Sequence, residues 1–472
     1  MHSPLDSKTD LAAVTKASSD YRADIDGLRA AAVLAVVFFH AFPDVLKGGF
    51  VGVDIFFVIS GILITGIICE RGPEKFSFLD FYFRRVRRIF PALTFILAAT
   101  FLIGWFLLFA SEFSEIGRQI VAGAGFAANF LFWKEAGYFD TASDVKPLLH
   151  LWSLGVEEQF YIFWPAAVYF GWKRDLGLLY IIVVAGLISF AINIVQVHRD
   201  PIGAFYSPLT RFWELMMGAS LAAGRVGLNS TSAKNICSII GLMMIALSIS
   251  MITPSVEFPG WAALGPTIGS ALLIVSGKTG LANRALSFSP LVGIGLISYP
   301  FYLWHWPLLV LVRLASHGQS QPGLALTTIL LSLALAAGTF ALIERPIRAL
   351  PLKLPTIVAL AIAVMSMGTI GWLACKNDGF AGREANRYAL FMAHAQPPKL
   401  NDGSCERLLG LSLVVNEYCV SNSAQPQYLL LGDSHAMVLN AAASSGMIDM
   451  KTVMIAGNTC LPFLHYITKN AG

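Results

Sequence analysis

Apolar runs of roughly 17 to 25 residues, the length that carries an α-helix across a hydrocarbon core, recur along most of this chain. About eleven such spans can be marked. They lie near residues 27–46, 49–70, 89–110, 152–171, 177–197, 209–224, 235–253, 261–276, 291–315, 325–343 and 356–375. The stretch 119–133 is apolar but short and rich in Gly and Ala, and it reads as a re-entrant or interfacial segment. From Asn377 onward the long runs stop and polar, loop-like sequence takes over. Within that tail, Gln427-Tyr-Leu-Leu-Leu-Gly-Asp-Ser434-His reads as a buried strand entering a turn. A helix-compatible stretch near 435–446 and a second strand near 451–456 follow, so the order strand, helix, strand predicts the start of a parallel sheet. The expected fold class is an all-α polytopic membrane protein of about ten spans plus one, followed by the start of an α/β domain.

Composition agrees with that setting. Of 472 residues, 56% are hydrophobic and 13% charged, with a mean hydropathy of +0.65, beyond the average usage of soluble domains. The net charge of +4 is small for this length and follows the loops, so no nucleic-acid partner is inferred. No Gly-x-x-x-x-Gly-Lys loop is present, which argues against an ATP-driven pump. The first twenty residues are polar and lack the basic start and short apolar run of a signal peptide, so the first span is expected to remain as an anchor.

The loops set the expected orientation. With a cytoplasmic N-terminus, Arg71, Lys75, Arg84, Arg85, Arg87, Arg88, Lys173, Arg174, Arg225, Lys234, Lys278, Arg284, Arg345, Arg348 and Lys353 fall in inside loops. The outside loops are poor in Lys and Arg, as the positive-inside rule requires. An odd number of spans then places the tail outside. Three of the six cysteines, Cys405, Cys419 and Cys460, lie there. An oxidising compartment would allow a Cys405–Cys419 bridge, although pairing does not follow from sequence.

Ionisable side chains at membrane depth are expensive, and they mark chemistry or transport. Arg29 and His40 both fall in the first span. Eleven residues apart on a helix, they share roughly one face about three turns from each other, with His40 toward the outer side. His40 can act as a base near neutral pH, its ordinary pKa being about 6.5. Glu157 and Glu158 open the fourth span. They could orient His40 or bind a sugar, or simply solvate a helix start favoured by its dipole. Asp54 stands similarly between a chemical role and a cap. The run Arg84, Arg85, Arg87, Arg88 can set topology and touch anionic membrane lipid. His305 lies in an aromatic-rich segment and reads as structural, as do Glu344, Arg345 and Arg348 as a helix-end ion-pair cluster; His150 has no assigned role. Ser434, at the carboxyl end of its strand, suits a nucleophile whose oxyanion turn amides would stabilise, while Gly, Asp and Ser are also ordinary turn residues. His435 is too close in sequence to serve it as base, and His465 lacks a fitting acidic partner.

Six blocks in order carry a resemblance: Asp26-Gly-Leu-Arg29 with His40; Gly49-Phe-Val-Gly-Val-Asp54-Ile-Phe-Phe-Val-Ile-Ser60-Gly; Phe83-Arg-Arg-Val-Arg-Arg-Ile-Phe-Pro91; Leu151-Trp-Ser-Leu-Gly-Val-Glu157-Glu-Gln-Phe-Tyr161; Ser298-Tyr-Pro-Phe-Tyr-Leu-Trp-His305-Trp-Pro; and Ile343-Glu-Arg-Pro-Ile-Arg348. Over roughly residues 20 to 350 the chain resembles the acyltransferase-3 family. Its tail resembles the SGNH-type esterase/acyltransferase domain that some members carry after one extra span. The Asp-x-x-His that supplies acid and base in that domain type is absent, and the sequence is expected to stop inside its second domain.

The resemblance implies a bacterial inner-membrane O-acyltransferase moving acetyl groups from cytoplasmic acetyl-CoA to envelope or secreted glycans. It casts His40 and Arg29 as the central pair. An Arg-x-x-Arg element, Arg84/Arg87 or Arg85/Arg88, would bind the acyl-CoA phosphates, with the register left open. No metal is called for. The expected organisation is a cytoplasmic tail over 1–20, the acyltransferase-3 domain over 21–350, a linking helix over 351–376 and a periplasmic, incomplete SGNH-type domain over 377–472. The competing reading is a secondary transporter or flippase for an acylated lipid-linked glycan, which would use the same buried charges without bond chemistry.

Overall fold

The computed structural model describes residues 21–136, 145–174, 176–253, 255–315, 322–383, 407–408, 417–432 and 450–457. The chain divides into two compact units, one of Met1–Leu107 with Ser111–Gly379 and one of Leu108–Ala110 with Phe380–Gly472.

The first unit is helical. In chain order its helices are α1 (Ala23–Ala41), α2 (Gly52–Lys75), α3 (Phe78–Leu107), α4 (Ala110–Ala124), α5 (Ala128–Glu135), α6 (Leu151–Lys173), α7 (Leu178–Arg199), α8 (Pro201–Tyr206) and α9 (Pro208–Ala223). There follow α10 (Thr231–Met251), α11 (Leu264–Ser276), α12 (Leu281–Leu286), α13 (Ser289–Leu296), α14 (Ser298–Ala315), α15 (Pro322–Thr339), α16 (Arg345–Ala349) and α17 (Leu354–Lys376). Each of the apolar runs marked in the sequence lies on one or two of these helices. Among the described residues six helices are long and apolar enough to cross a membrane, or seven if the bent pair α13–α14 is counted as one span. The segment read as re-entrant forms the two short helices α4 and α5.

Local signals start several helices. Asp200 accepts from the Gly203 amide at 2.8 Å ahead of Pro201, and Ser207 accepts from Leu209 N at 3.2 Å ahead of Pro208. Each side chain satisfies an orphan amide, while Pro sits where no donor is needed. Inside the apolar helices, hydroxyls such as Ser332 and Thr339 return their protons to carbonyls one turn back, which satisfies these donors within the helix.

Position in the bundle follows from which faces are apolar. The most apolar window of the α2 segment is 72% buried, whereas that of α7 is 17% buried; α2 is therefore central and α7 peripheral. Around α2, Ile55, Val58 and Ile59 pack with Ile25, Leu28, Ile245, Leu273 and Leu286. Small residues allow the closest crossing. A Cβ on Gly61 of α2 would lie 1.9 Å from the Leu215 carbonyl oxygen of α9, and one on Gly218 of α9 would lie 2.0 Å from that of Val58.

The second unit contains strands β1 (Glu417–Ser421), β2 (Tyr428–Gly432) and β3 (Thr452–Gly457), in the order β1-β3-β2. β2 and β3 pair in parallel with Leu430 opposite Met454, as the strand, helix, strand reading requires of its two strands. β1, absent from that reading, pairs antiparallel to β3.

Candidate active site

The helical unit holds a partly open cavity lined by charged, hydroxyl-bearing and apolar side chains. Its charged lining comes from three helices: Arg29 of α1, Arg85 and Arg88 of α3, and Glu157 and Glu158 of α6. Ser60, Ser153, Tyr161, Ser298, Tyr299 and Tyr302 supply hydroxyls. The Arg29 Nε donates to Ser298 Oγ at 3.2 Å. Ser298 stands at the break between α13 and α14, where the axis turns by 69°. Such a break is tolerated at membrane depth where protein or a cavity surrounds it. Gly295 brings the break against α1, since a Cβ there would meet the Asp26 carbonyl oxygen at 1.9 Å.

The carboxylates are held differently. Glu157 accepts hydrogen bonds from Ser60 and Tyr161, and the Tyr161 hydroxyl oxygen also lies 3.0 Å from Ser60 Oγ. Glu158 is buried, and its Oε1 has no partner among the described residues. Among the described residues neither carboxylate is hydrogen-bonded to His40: they lie about 10 Å along α6 from its N-terminus, at 1.5 Å per residue, and His40 adjoins that N-terminus through His305 and His150.

His40 lies about three turns from Arg29, near the C-terminal end of α1 and outside the cavity lining. Its Nδ1 is 3.0 Å from the Nε2 of His305, with the ring planes 5° apart. The His150 ring lies 5.8 Å from that of His305, and Tyr302 lies 5.4 Å from His150 and 5.3 Å from His305. Tyr302 also lines the cavity and donates to the His150 carbonyl at 2.8 Å. A line of polar side chains thus runs from Arg85 and Arg88, through the cavity, past Tyr302 and His305 to His40. His305, expected to be an aromatic-belt residue, is fully buried against His40 instead. That placement depends on α14 crossing α1, which no local pattern announces.

The arginine run divides by what each side chain meets. Arg85 and Arg88 line the cavity; Arg84 is half exposed and pairs with Asp80 at 3.3 Å, and half-buried Arg87 donates to the Leu350 carbonyl. Helical geometry puts residues three apart on one face and their immediate neighbours elsewhere.

Asp54 proves to be more than a cap. It is fully buried and pairs with Arg211 at 3.2 Å, and Arg211 Nε also faces Glu214 at 3.2 Å. The rings of Phe57, Trp152, Phe205 and Phe258 surround the Arg211 guanidinium within 5.9 Å. Arg211 and Glu214 were not singled out from sequence, although two charges three residues apart in an apolar helix are a signal. In the cluster expected near residue 345, Glu344 and Arg348 do pair, whereas Arg345 is exposed. Ser434 and the side chains of Cys405 and Cys419 lie outside the described residues.

A search against family models matches residues 22–344 to an acyltransferase domain, the acyltransferase-3 type. The chain belongs to the acyltransferase-3 family. The matched stretch of this acyltransferase-3 chain contains every cavity-lining side chain and all three clustered histidines. Among curated proteins, it is 32% identical over 358 residues to the peptidoglycan O-acetyltransferase OatA of Listeria monocytogenes, covering 71% of this chain and 57% of that one. It is 31% identical over 351 residues to the O-acetyltransferase OatA of Staphylococcus aureus, covering 70% of this chain and 58% of that one. The chain thus spans less than two thirds of the length of these relatives. No solved structure matches it significantly.

Proposed function

We propose that this chain is a membrane O-acetyltransferase that moves an acetyl group from acetyl-CoA to a hydroxyl of a cell-wall glycan. The observation that carries the reading is the polar line from the Arg85/Arg88 end of the cavity to His40, within a chain of this family. Guanidinium groups at one end suit the phosphates of the acyl donor. The imidazole at the other can take a proton from an acceptor hydroxyl. In the transfer, the acceptor oxygen attacks the thioester carbonyl while His40 takes its proton. The carbon–sulfur bond breaks as the carbon–oxygen bond completes, and the leaving thiolate recovers a proton from the imidazolium.

The distribution of Lys and Arg supports an N-terminus inside the cytoplasmic membrane of a bacterium, with the donor entering from the arginine end. About ten spans and a linking eleventh, α17, fit the hydropathy. The relatives' names point to peptidoglycan as acceptor. The parallel pairing of β2 and β3 supports an SGNH-type second unit, in which Ser434 would receive the acetyl group outside the membrane.

The test compares, by mass spectrometry, cell-wall glycans from cells making the full-length wild-type protein and the His40→Ala variant. Loss of a base-labile acetyl increment with the variant present in the membrane is expected. Wild-type acetylation in that variant would overturn the reading. Release of free CoA thiol by the purified protein separates it from the transporter alternative, which releases none.

A further inference from the structure

We infer that His305 is a positioning residue that fixes which nitrogen of His40 carries the proton; this rests on the proposed role of His40 as base. Two imidazole nitrogens 3.0 Å apart need one donor and one acceptor. His305 Nδ1 lies 3.3 Å from the Phe301 carbonyl oxygen, one turn back on α14. A carbonyl oxygen only accepts, so Nδ1 of His305 is the donor there. In a neutral ring Nε2 is then an acceptor, and the proton between the two histidines belongs to Nδ1 of His40. The Nε2 of His40 is left with its lone pair, the state a general base requires. When His40 takes the substrate proton, its Nδ1–H still donates to His305, and the positive charge is held against a hydrogen-bond acceptor. The arrangement does for this histidine what a carboxylate does in a Ser-His-Asp triad, without a buried anion.

The surroundings keep the pair in place. His305 is fully buried, and the Trp306 ring lies 4.3 Å from that of His40. The titratable and charged groups facing the pair are His150 and Tyr302, both packed on His305, and Arg313 of α14, which donates to the His40 carbonyl oxygen. None of these hydrogen-bonds the second nitrogen of His40 among the described residues.

The test uses the full-length protein in nanodiscs with ¹⁵N-labelled histidine, the His40 signals being identified by their loss in His40→Gln. The wild type is expected to show His40 as the Nδ1–H tautomer, and His305→Phe a mixture of both. His305→Gln, whose amide oxygen can accept from His40, should keep the wild-type tautomer. In turnover, His305→Phe is expected to lose about 10²- to 10⁴-fold in kcat with KM little changed, and His305→Gln to recover at least about tenfold of that loss. An unchanged His40 tautomer in His305→Phe, or equal kcat in the Phe and Gln variants, overturns the inference. If the Phe variant does not fold, the wild-type spectrum decides, because an Nε2–H tautomer at His40 is sufficient to refute it. The tautomer is read without turnover, so full activity in His40→Ala would sink the catalytic reading while leaving this measurement standing.

Discussion

The division of the arginine run makes a quantitative prediction. Arg85 and Arg88 line the cavity, and the buried Nε of Arg85 has no hydrogen-bond partner among the described residues. A hydrogen bond from a guanidinium to a phosphate is worth about 1.5–3 kcal/mol net. Removing one such contact should therefore weaken donor binding about 10- to 150-fold. The double substitution Arg85→Ala/Arg88→Ala should cost more than either single, though less than their product, since neighbouring groups on one ligand couple. Arg84, by contrast, is 46% exposed in a pair with Asp80 that solvent screens, and such pairs contribute about 0–1 kcal/mol. Arg84→Ala/Arg87→Ala should change affinity by less than about fivefold. Isothermal titration of acetyl-CoA into detergent-purified protein measures both doubles, and KM for acetyl-CoA gives a second reading. Equal losses in the two doubles, or wild-type affinity in Arg85→Ala/Arg88→Ala, would refute the assignment of the cavity arginines to the donor.

The buried Asp54–Arg211–Glu214 cluster should be intolerant of losing its cation: Arg211→Met leaves two carboxylates facing each other in a dry interior, costing about 3–5 kcal/mol. A thermal unfolding midpoint equal to wild type would show that the cluster carries no stability. Gly61→Ala should sharply reduce the yield of folded protein, because its Cβ would fall within 1.9 Å of the Leu215 carbonyl oxygen. Gly66→Ala on the same helix, where nothing lies within 4 Å, should be neutral or stabilising by up to about 1 kcal/mol; size-exclusion profiles of the pair check this. Ser434→Ala in the full-length protein should abolish glycan acetylation while leaving CoA release at the membrane site, and unchanged glycan acetylation would show that Ser434 is dispensable.

Much of the helical layout was legible in the chain because helix length and lipid exposure are local properties. A backbone in hydrocarbon must satisfy its own hydrogen bonds, so a long apolar run has few alternatives to a helix. The same locality exposed Arg29, His40, Glu157 and Glu158 as candidates, since a charge in an apolar run is anomalous wherever the run packs. Both Arg-x-x-Arg registers were visible, but spacing alone could not choose between them. Choosing needed the rotation of α3 about its axis, which is set by its neighbours.

What only the tertiary structure decided are the pairings across long sequence separations. Arg29 meets Ser298, Asp54 meets Arg211, and His40 meets His305 across 265 residues. His305 looked like one more polar residue in an aromatic belt because its partner lies on a different helix. Asp54 stayed open between a chemical role and a cap because Arg211 was out of sight. Each span is apolar on nearly every face, so periodicity carries little information about which face turns toward which neighbour. That choice is made by close packing at small residues and by the need of each buried polar group for a partner, and both conditions are met only when all the helices are assembled.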